Sequence, residues 1–165
     1  IPNSFVSEGR QFPNSKIIDP ILYDWQKYLL EILKRFKFEV TYKTHPKGFH
    51  QKINNLDIFT NYKTNKSMIE SLKYADTVIL DYLGSAFVEA LCAGKDIIYI
   101  DMKQRPYDQD NFKDFNSFIK VVTAYNKDGV FYLNVDELID AINTPHKDIE
   151  KQEKIVNDYF LKIED

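Results

Sequence analysis

An α/β fold built on an open, mostly parallel sheet is what this sequence predicts, and three observations carry the prediction. Two short apolar runs rich in β-branched residues, Thr77-Val78-Ile79-Leu80 and Ile97-Ile98-Tyr99-Ile100, suit strands buried on both faces. Between them a Gly84-Ser85 turn, a helical stretch reaching Ala93 and a Gly94 stop make Ala75–Asp101 read as strand, turn, helix, strand. Along the rest of the chain strands alternate with helices, the pattern of a Rossmann-like sheet with helices on both faces.

Taken in order, Asp19-Pro20 supplies an N-cap and a first-turn proline. Leu22, Trp25, Leu29, Ile32, Leu33 and Phe36 follow at helical spacing. Phe38–Thr44 reads as a strand that ends at His45-Pro46, because the residue before a proline is driven to extended geometry, and Lys47-Gly48 turns the chain. Asp57–Thr60 is a short candidate strand and Lys66–Tyr74 a helix, leading into the central unit. After Asp101, Met102–Asn111 is polar and irregular. A helix-like piece carrying Phe112, Phe115, Phe118 and Ile119 comes next, then strands at Val121–Thr123 and Val130–Leu133. Asn134 with Glu137 has the form of a capping box for a helix that stops before Pro145, and residues 147–164 form an amphipathic, charged docking helix.

The chain has 165 residues, 44% of them hydrophobic, enough for one sizeable core, so residues 1–165 are expected to form a single domain. A net charge of −3 argues against a broad basic surface for nucleic acid. The single cysteine, Cys92, excludes a disulfide within the chain and is expected in the apolar face of its helix, in keeping with a reducing, cytoplasmic setting. No run approaches the roughly 18 apolar residues that span a bilayer. The opening IPNSFVSEG reads as the tail of a strand and its loop, so the chain is expected to be a fragment that lacks an N-terminal half.

In an open α/β sheet, ligands lie at the carboxyl ends of the strands. The residues that follow the strands are therefore the candidates: Arg10 in Glu8-Gly9-Arg10, Lys43 and His45, Asn61 and Tyr62, and Asp81 to Ser85 with Glu89. An imidazole at His45 can donate to a phosphate oxygen or neutralise a leaving group, or it can simply satisfy a turn carbonyl. Gly84 lets backbone approach a ligand closely, and Ser85 is placed to cap the helix and to bond a phosphate. Glu89, one turn on, reads either as a partner for a ribose or sugar hydroxyl or as a surface glutamate, and Asp81 either orients the turn or is structural. There is no GxGxxG and no GxxxxGK[ST]. Asp108-Gln109-Asp110 has a metal-binding form but no further acidic partner in sequence, so no metal is expected.

These residues resemble the C-terminal, donor-nucleotide half of GT-B type transferases of bacterial surface polymers, above all CDP-glycerol glycerophosphotransferases and capsule glycosyltransferases. The matching stretches are Lys43-Thr44-His45-Pro46, Ala75–Tyr82, Ser85–Leu91 and Gly94-Lys95 with Ile97–Asp101. The resemblance implies that His45 and Ser85 hold the donor's phosphates and that Asn61-Tyr62 lies near the base. Where such proteins usually carry Asp-Tyr-Ser-Ser, this chain has Asp81-Tyr82-Leu83-Gly84, so phosphate binding leans on backbone N–H groups and Ser85.

The expected function is thus a transferase domain that binds a nucleotide-activated sugar or polyol phosphate. His45, Lys43, the Gly84-Ser85 helix start and Arg10 would neutralise the departing nucleotide without metal or other cofactor. The resemblance implies that the acceptor's general base belongs to the absent half and that the parent works at the cytoplasmic face of a membrane. The rival expectations are a sugar-nucleotide epimerase or hydrolase of the same architecture and a non-catalytic assembly or regulatory module.

Overall fold

Residue 17 and residues 19–43, 56–64, 66–103, 117–144 and 148–160 are described by a computed structural model of the chain. Helix α1 (Asp19–Arg35) buries Leu22, Trp25, Leu30, Ile32 and Leu33 along one stripe. It stops at a left-handed Lys37 (φ 62°), where Phe38 N donates to Leu33 O at 3.1 Å and Lys37 N to Lys34 O at 3.0 Å. This closure satisfies the last carbonyls and turns Phe36 outward, off the buried stripe predicted for it.

Strand β1 (Thr41–Lys43) starts later than Phe38 and pairs parallel with β2 (Tyr62–Thr64), while Thr44 lies outside the described residues. The strand expected at Asp57–Thr60 is instead a 3₁₀ turn, Leu56–Phe59. In that turn residues three apart eclipse, so Leu56 and Phe59 both face the core under α1 while Ile58 points out. Helix α2 (Met68–Leu72) starts later than Lys66 because Ser67 and Glu70 form a complete capping box. Ser67 Oγ accepts from Glu70 N at 3.2 Å, and Ser67 N donates to Glu70 Oε2 at 3.0 Å.

The central unit follows the sequence reading: strand β3 (Thr77–Leu80), helix α3 (Ser85–Cys92) and strand β4 (Asp96–Asp101), with β3 and β4 parallel. Helix α3 ends on left-handed Gly94 (φ 59°), with Gly94 N bonded to Leu91 O at 2.9 Å and Lys95 N to Ala90 O at 3.1 Å. Cys92 is exposed at this end rather than packed in the core, because the helix stops one residue later and its apolar stripe runs through Phe87, Ala90 and Leu91.

Of the helix-like piece expected here, Phe112 and Phe115 lie outside the described residues, while Phe118 and Ile119 are buried in a turn that leads into strand β5 (Lys120–Lys127), which pairs parallel to β4. The two short strands expected here are the arms of one hairpin: β6 (Val130–Leu133) returns antiparallel across Asp128-Gly129. Both turn residues have positive φ, 53° and 85°, the two-residue turn that matches strand twist. Helix α4 (Val135–Asn143) starts at Asn134, whose Oδ1 accepts from Asp136 N at 3.1 Å and Glu137 N at 3.4 Å. Helix α5 (Ile149–Ile155) is capped by Asp148 and widens into a π turn over Val156–Phe160. Residues 147 and 161–164 of the expected docking helix lie outside the described residues.

The result is a mixed α/β architecture with a pair β1-β2 and a sheet ordered β3-β4-β5-β6, parallel except at the β6 edge. Strand β4 is buried along its whole length and its side chains alternate between two cores. Ile98 and Ile100 pack with α1 and α4 residues such as Trp25 and Leu138, whereas Ile97 and Tyr99 pack with Phe87 and Leu91 of α3. Helices therefore cover both faces, as the continuous apolar runs required.

Candidate functional site

The carboxyl end of β3 delivers Asp81-Tyr82-Leu83-Gly84 into the first turn of α3. Asp81 is only 6% exposed, and Trp25 Nε1 of α1 donates to its Oδ2 at 3.3 Å, so the turn is tied across the sheet edge to the longest helix. Gly84 is the N-cap, with extended backbone (φ −134°) that any residue can adopt. Its need for glycine is steric: a Cβ there would lie 2.9 Å from Tyr82 Cε1. Ser85 is therefore the first helical residue rather than the cap, and its side chain is exposed.

No side chain caps α3, whereas Ser67, Asn134 and Asp148 cap α2, α4 and α5. The N–H groups of the first turn of α3 carry the positive end of the helix dipole, directly after the carboxyl end of β3. Lys43, the last residue of β1, is half-buried, and its ammonium interacts with the carboxylate of Glu89 on α3. Burial pushes the Lys43 pKa below the ordinary lysine range, and the Glu89 charge opposes that shift. Asp81, Gly84 and Ser85 thus lie at the start of α3, and Lys43 is linked electrostatically to Glu89 further along the same helix.

Asn61 and Tyr62 are not brought to this point. Because Leu56–Phe59 is a 3₁₀ turn, they begin β2 instead of following a strand, and Tyr62 pairs with Thr41 at the end of β1 opposite Lys43. The Asn61 side chain is engaged there, its Oδ1 accepting from Val40 N at 2.8 Å. Arg10 and His45 lie outside the described residues, as do Asp108 and Asp110.

One residue at the same sheet edge has no role in the sequence reading. Asp101 ends β4 as Asp81 follows β3, and it is 2% exposed. Its Oδ1 accepts from Lys103 N at 2.9 Å and its Oδ2 pairs with Lys103 Nζ at 2.6 Å, which holds Lys103 in a left-handed turn (φ 53°). The signal was an acid directly after an apolar strand, the same signal that singled out Asp81.

Among the described residues, no group of three or more His, Cys, Asp or Glu side chains could hold a metal ion, and no helix is long and apolar enough to cross a membrane. No family model, curated protein or solved structure matches the chain.

Proposed function

We propose that this chain is the donor-binding domain of a transferase that uses a nucleotide-activated sugar or polyol phosphate in bacterial surface-polymer synthesis. The observation that carries the reading is the partly buried Lys43 ammonium beside α3, whose first turn has no side-chain cap. A cation interacting with a helix whose first-turn N–H donors follow the carboxyl end of a strand suits a diphosphate. Gly84 keeps side-chain bulk away from the turn, and Ser85 adds a hydroxyl donor. In the reaction, the donor's bond to the nucleotide breaks as an acceptor hydroxyl attacks. Lys43, His45, the α3 start and Arg10 then stabilise the negative charge that collects on the leaving phosphate. The role proposed for residues 1–165 is donor binding, at the cytoplasmic face of a membrane.

The test is a heteronuclear NMR titration of the chain with CMP, CDP, UDP and GDP, repeated on Lys43→Met and His45→Ala. One nucleoside diphosphate is expected to shift the amides of Gly84, Ser85 and Lys43, and each variant to weaken binding about tenfold or more, the worth of one charge-assisted hydrogen bond. The proposal fails if no nucleotide binds the chain, or if the shifts map away from α3.

A further inference from the structure

The β5-β6 hairpin projects past the rest of its sheet. The last residue of β5 that pairs with β4 is Thr123, opposite Asp101, and from Ala124 to Lys127 the strand pairs with β6. These residues carry the ribbon roughly 13 Å beyond the carboxyl end of β4, at about 3.3 Å per residue. Because β3, β4 and β5 are parallel, this is the same edge of the sheet at which β3 hands the chain to α3.

Tyr125 and Tyr132 stand opposite each other on the projecting ribbon. Alternation along β5 decides which face they take. Val121 pairs with Tyr99, and both pack in the core that holds Phe87 and Leu91 of α3, so Thr123 and Tyr125 follow on the α3 side. Val122, Ala124, Phe131 and Leu133 fill the core under α1 on the other side. The two tyrosine rings stack with centroids 5.6 Å apart and planes at 27°, yet Tyr125 is 49% and Tyr132 44% exposed. Cross-strand stacking holds the rings in place and leaves an apolar π surface open to water. Only β4 separates β3 from β5, so the start of α3 and the tyrosine pair are about 10 Å apart across the strands, on one face and at one edge of the sheet. An extended nucleoside diphosphate bridges that span.

We propose that Tyr125 and Tyr132 form the platform on which the base of the nucleotide stacks, an inference that rests on the diphosphate reading of the α3 start. A nucleobase presents a flat π face that suits offset stacking on tyrosine, whereas the hydroxyl-rich sugar or polyol belongs at the opposite end of the diphosphate, away from the hairpin. In this role the pair replaces Asn61 and Tyr62, which lie at the start of β2 rather than at the carboxyl end of a strand.

The chain, with its tyrosine rings isotope-labelled, is titrated by NMR with inorganic pyrophosphate, which has no base, and in parallel with CDP, UDP and GDP. Pyrophosphate is expected to shift the Gly84 and Ser85 amides and leave both rings unmoved. The nucleoside diphosphate that binds is expected to shift the amides and the rings together. Replacing both tyrosines by leucine should weaken its binding about tenfold, the worth of one stacked base, and leave pyrophosphate binding unchanged. Replacing both by phenylalanine, which keeps the ring faces, should restore wild-type affinity. Rings that stay silent while a nucleotide shifts the Gly84 and Ser85 amides overturn the platform and leave the donor site standing, whereas amides that respond to no ligand overturn both. A folded leucine variant that binds the nucleotide as tightly as wild type also overturns the platform. The wild-type ring shifts decide on their own should that variant fail to fold.

Discussion

Replacing Lys120 by methionine is expected to destabilise this fold by about 3 kcal/mol, through two connected losses. Lys120 opens β5, and its side chain is 17% exposed. Its ammonium donates to Ala141 O at 2.5 Å and to Thr144 O, closing the end of α4 with a positive charge where the helix dipole favours one. It also sits 3.7 Å from Oδ2 of Asp96, a carboxylate only 1% exposed at the start of β4. Methionine keeps the stem and its packing while removing every donor and the charge. Charge-assisted hydrogen bonds contribute about 1.5–3 kcal/mol, and stripping the partner from a fully buried ion pair costs about 3–5 kcal/mol. Because Asp96 keeps further interactions of its own and the pair is longer than a hydrogen bond, the total belongs near the bottom of the second range. Urea unfolding followed by circular dichroism reads the change as a shifted midpoint at constant slope, and a thermal scan should show a fall of roughly 6–12 °C. Adding Asp96→Asn to Lys120→Met should cost less than the sum of the single changes, because the uncompensated charge has gone. A Lys120→Met variant within about 0.5 kcal/mol of wild type would refute the reasoning, since changes of that size are what any surface position gives.

Gly94→Ala should cost about 1 kcal/mol by urea unfolding, and Gly94→Asn less, because a Cβ there meets nothing within 4 Å and the penalty is the left-handed backbone alone. Gly84→Ala should cost about 1–2 kcal/mol for the opposite reason, an allowed backbone with a clash on Tyr82. The penalty should therefore vanish in a Tyr82→Ala background, and its persistence there would remove the steric explanation. For Lys43 the sign follows from its lowered pKa: the folded chain binds fewer protons than the unfolded one at alkaline pH. Its contribution to stability is thus complete above the unfolded lysine value and is lost as pH falls through the folded one. Wild type should gain stability relative to Lys43→Met as pH rises from below toward the ordinary lysine value of 10.5, and parallel urea midpoints for the two chains would contradict this.

The central unit was legible because its signals are local and agree with one another: two apolar runs, a small-residue turn and a glycine stop. The failures came where a short-range pattern had two readings. Leu56-Asp57-Ile58-Phe59 fits a strand by composition, but it packs under α1 through residues three apart, and only the position of α1 decides between the two. That single difference moved Asn61 and Tyr62 to the other end of their strand and out of the candidate site. The β5-β6 hairpin and the Ser67-Glu70 capping box are encoded locally, as Asp128-Gly129 and as a serine three residues ahead of a glutamate. The Trp25 bond to Asp81 spans 56 positions in sequence, and no periodicity or propensity encodes it.

That long-range bond changes what the acids around the site do. Asp81 and Asp101 stand near the same edge of the sheet, and either carboxylate, if it faced the start of α3, would repel an anion there. Asp81 is turned into the α1 layer by its bond to Trp25, and Asp101 is neutralised by Lys103. Glu89 is the remaining acid of the group, and its charge acts on Lys43, favouring the ammonium that burial disfavours. In this arrangement Glu89 need not touch a sugar hydroxyl to matter, because keeping Lys43 protonated in a half-buried position preserves the cation that the proposed diphosphate requires. Glu89→Gln should therefore lower the Lys43 pKa further and make nucleotide affinity fall at a lower alkaline pH than in wild type, measurable by repeating the titration across the alkaline range. A glutamate that only bonded a sugar hydroxyl would leave the pH profile of a bare nucleoside diphosphate unchanged, so the two roles separate on a ligand that carries no sugar donor group.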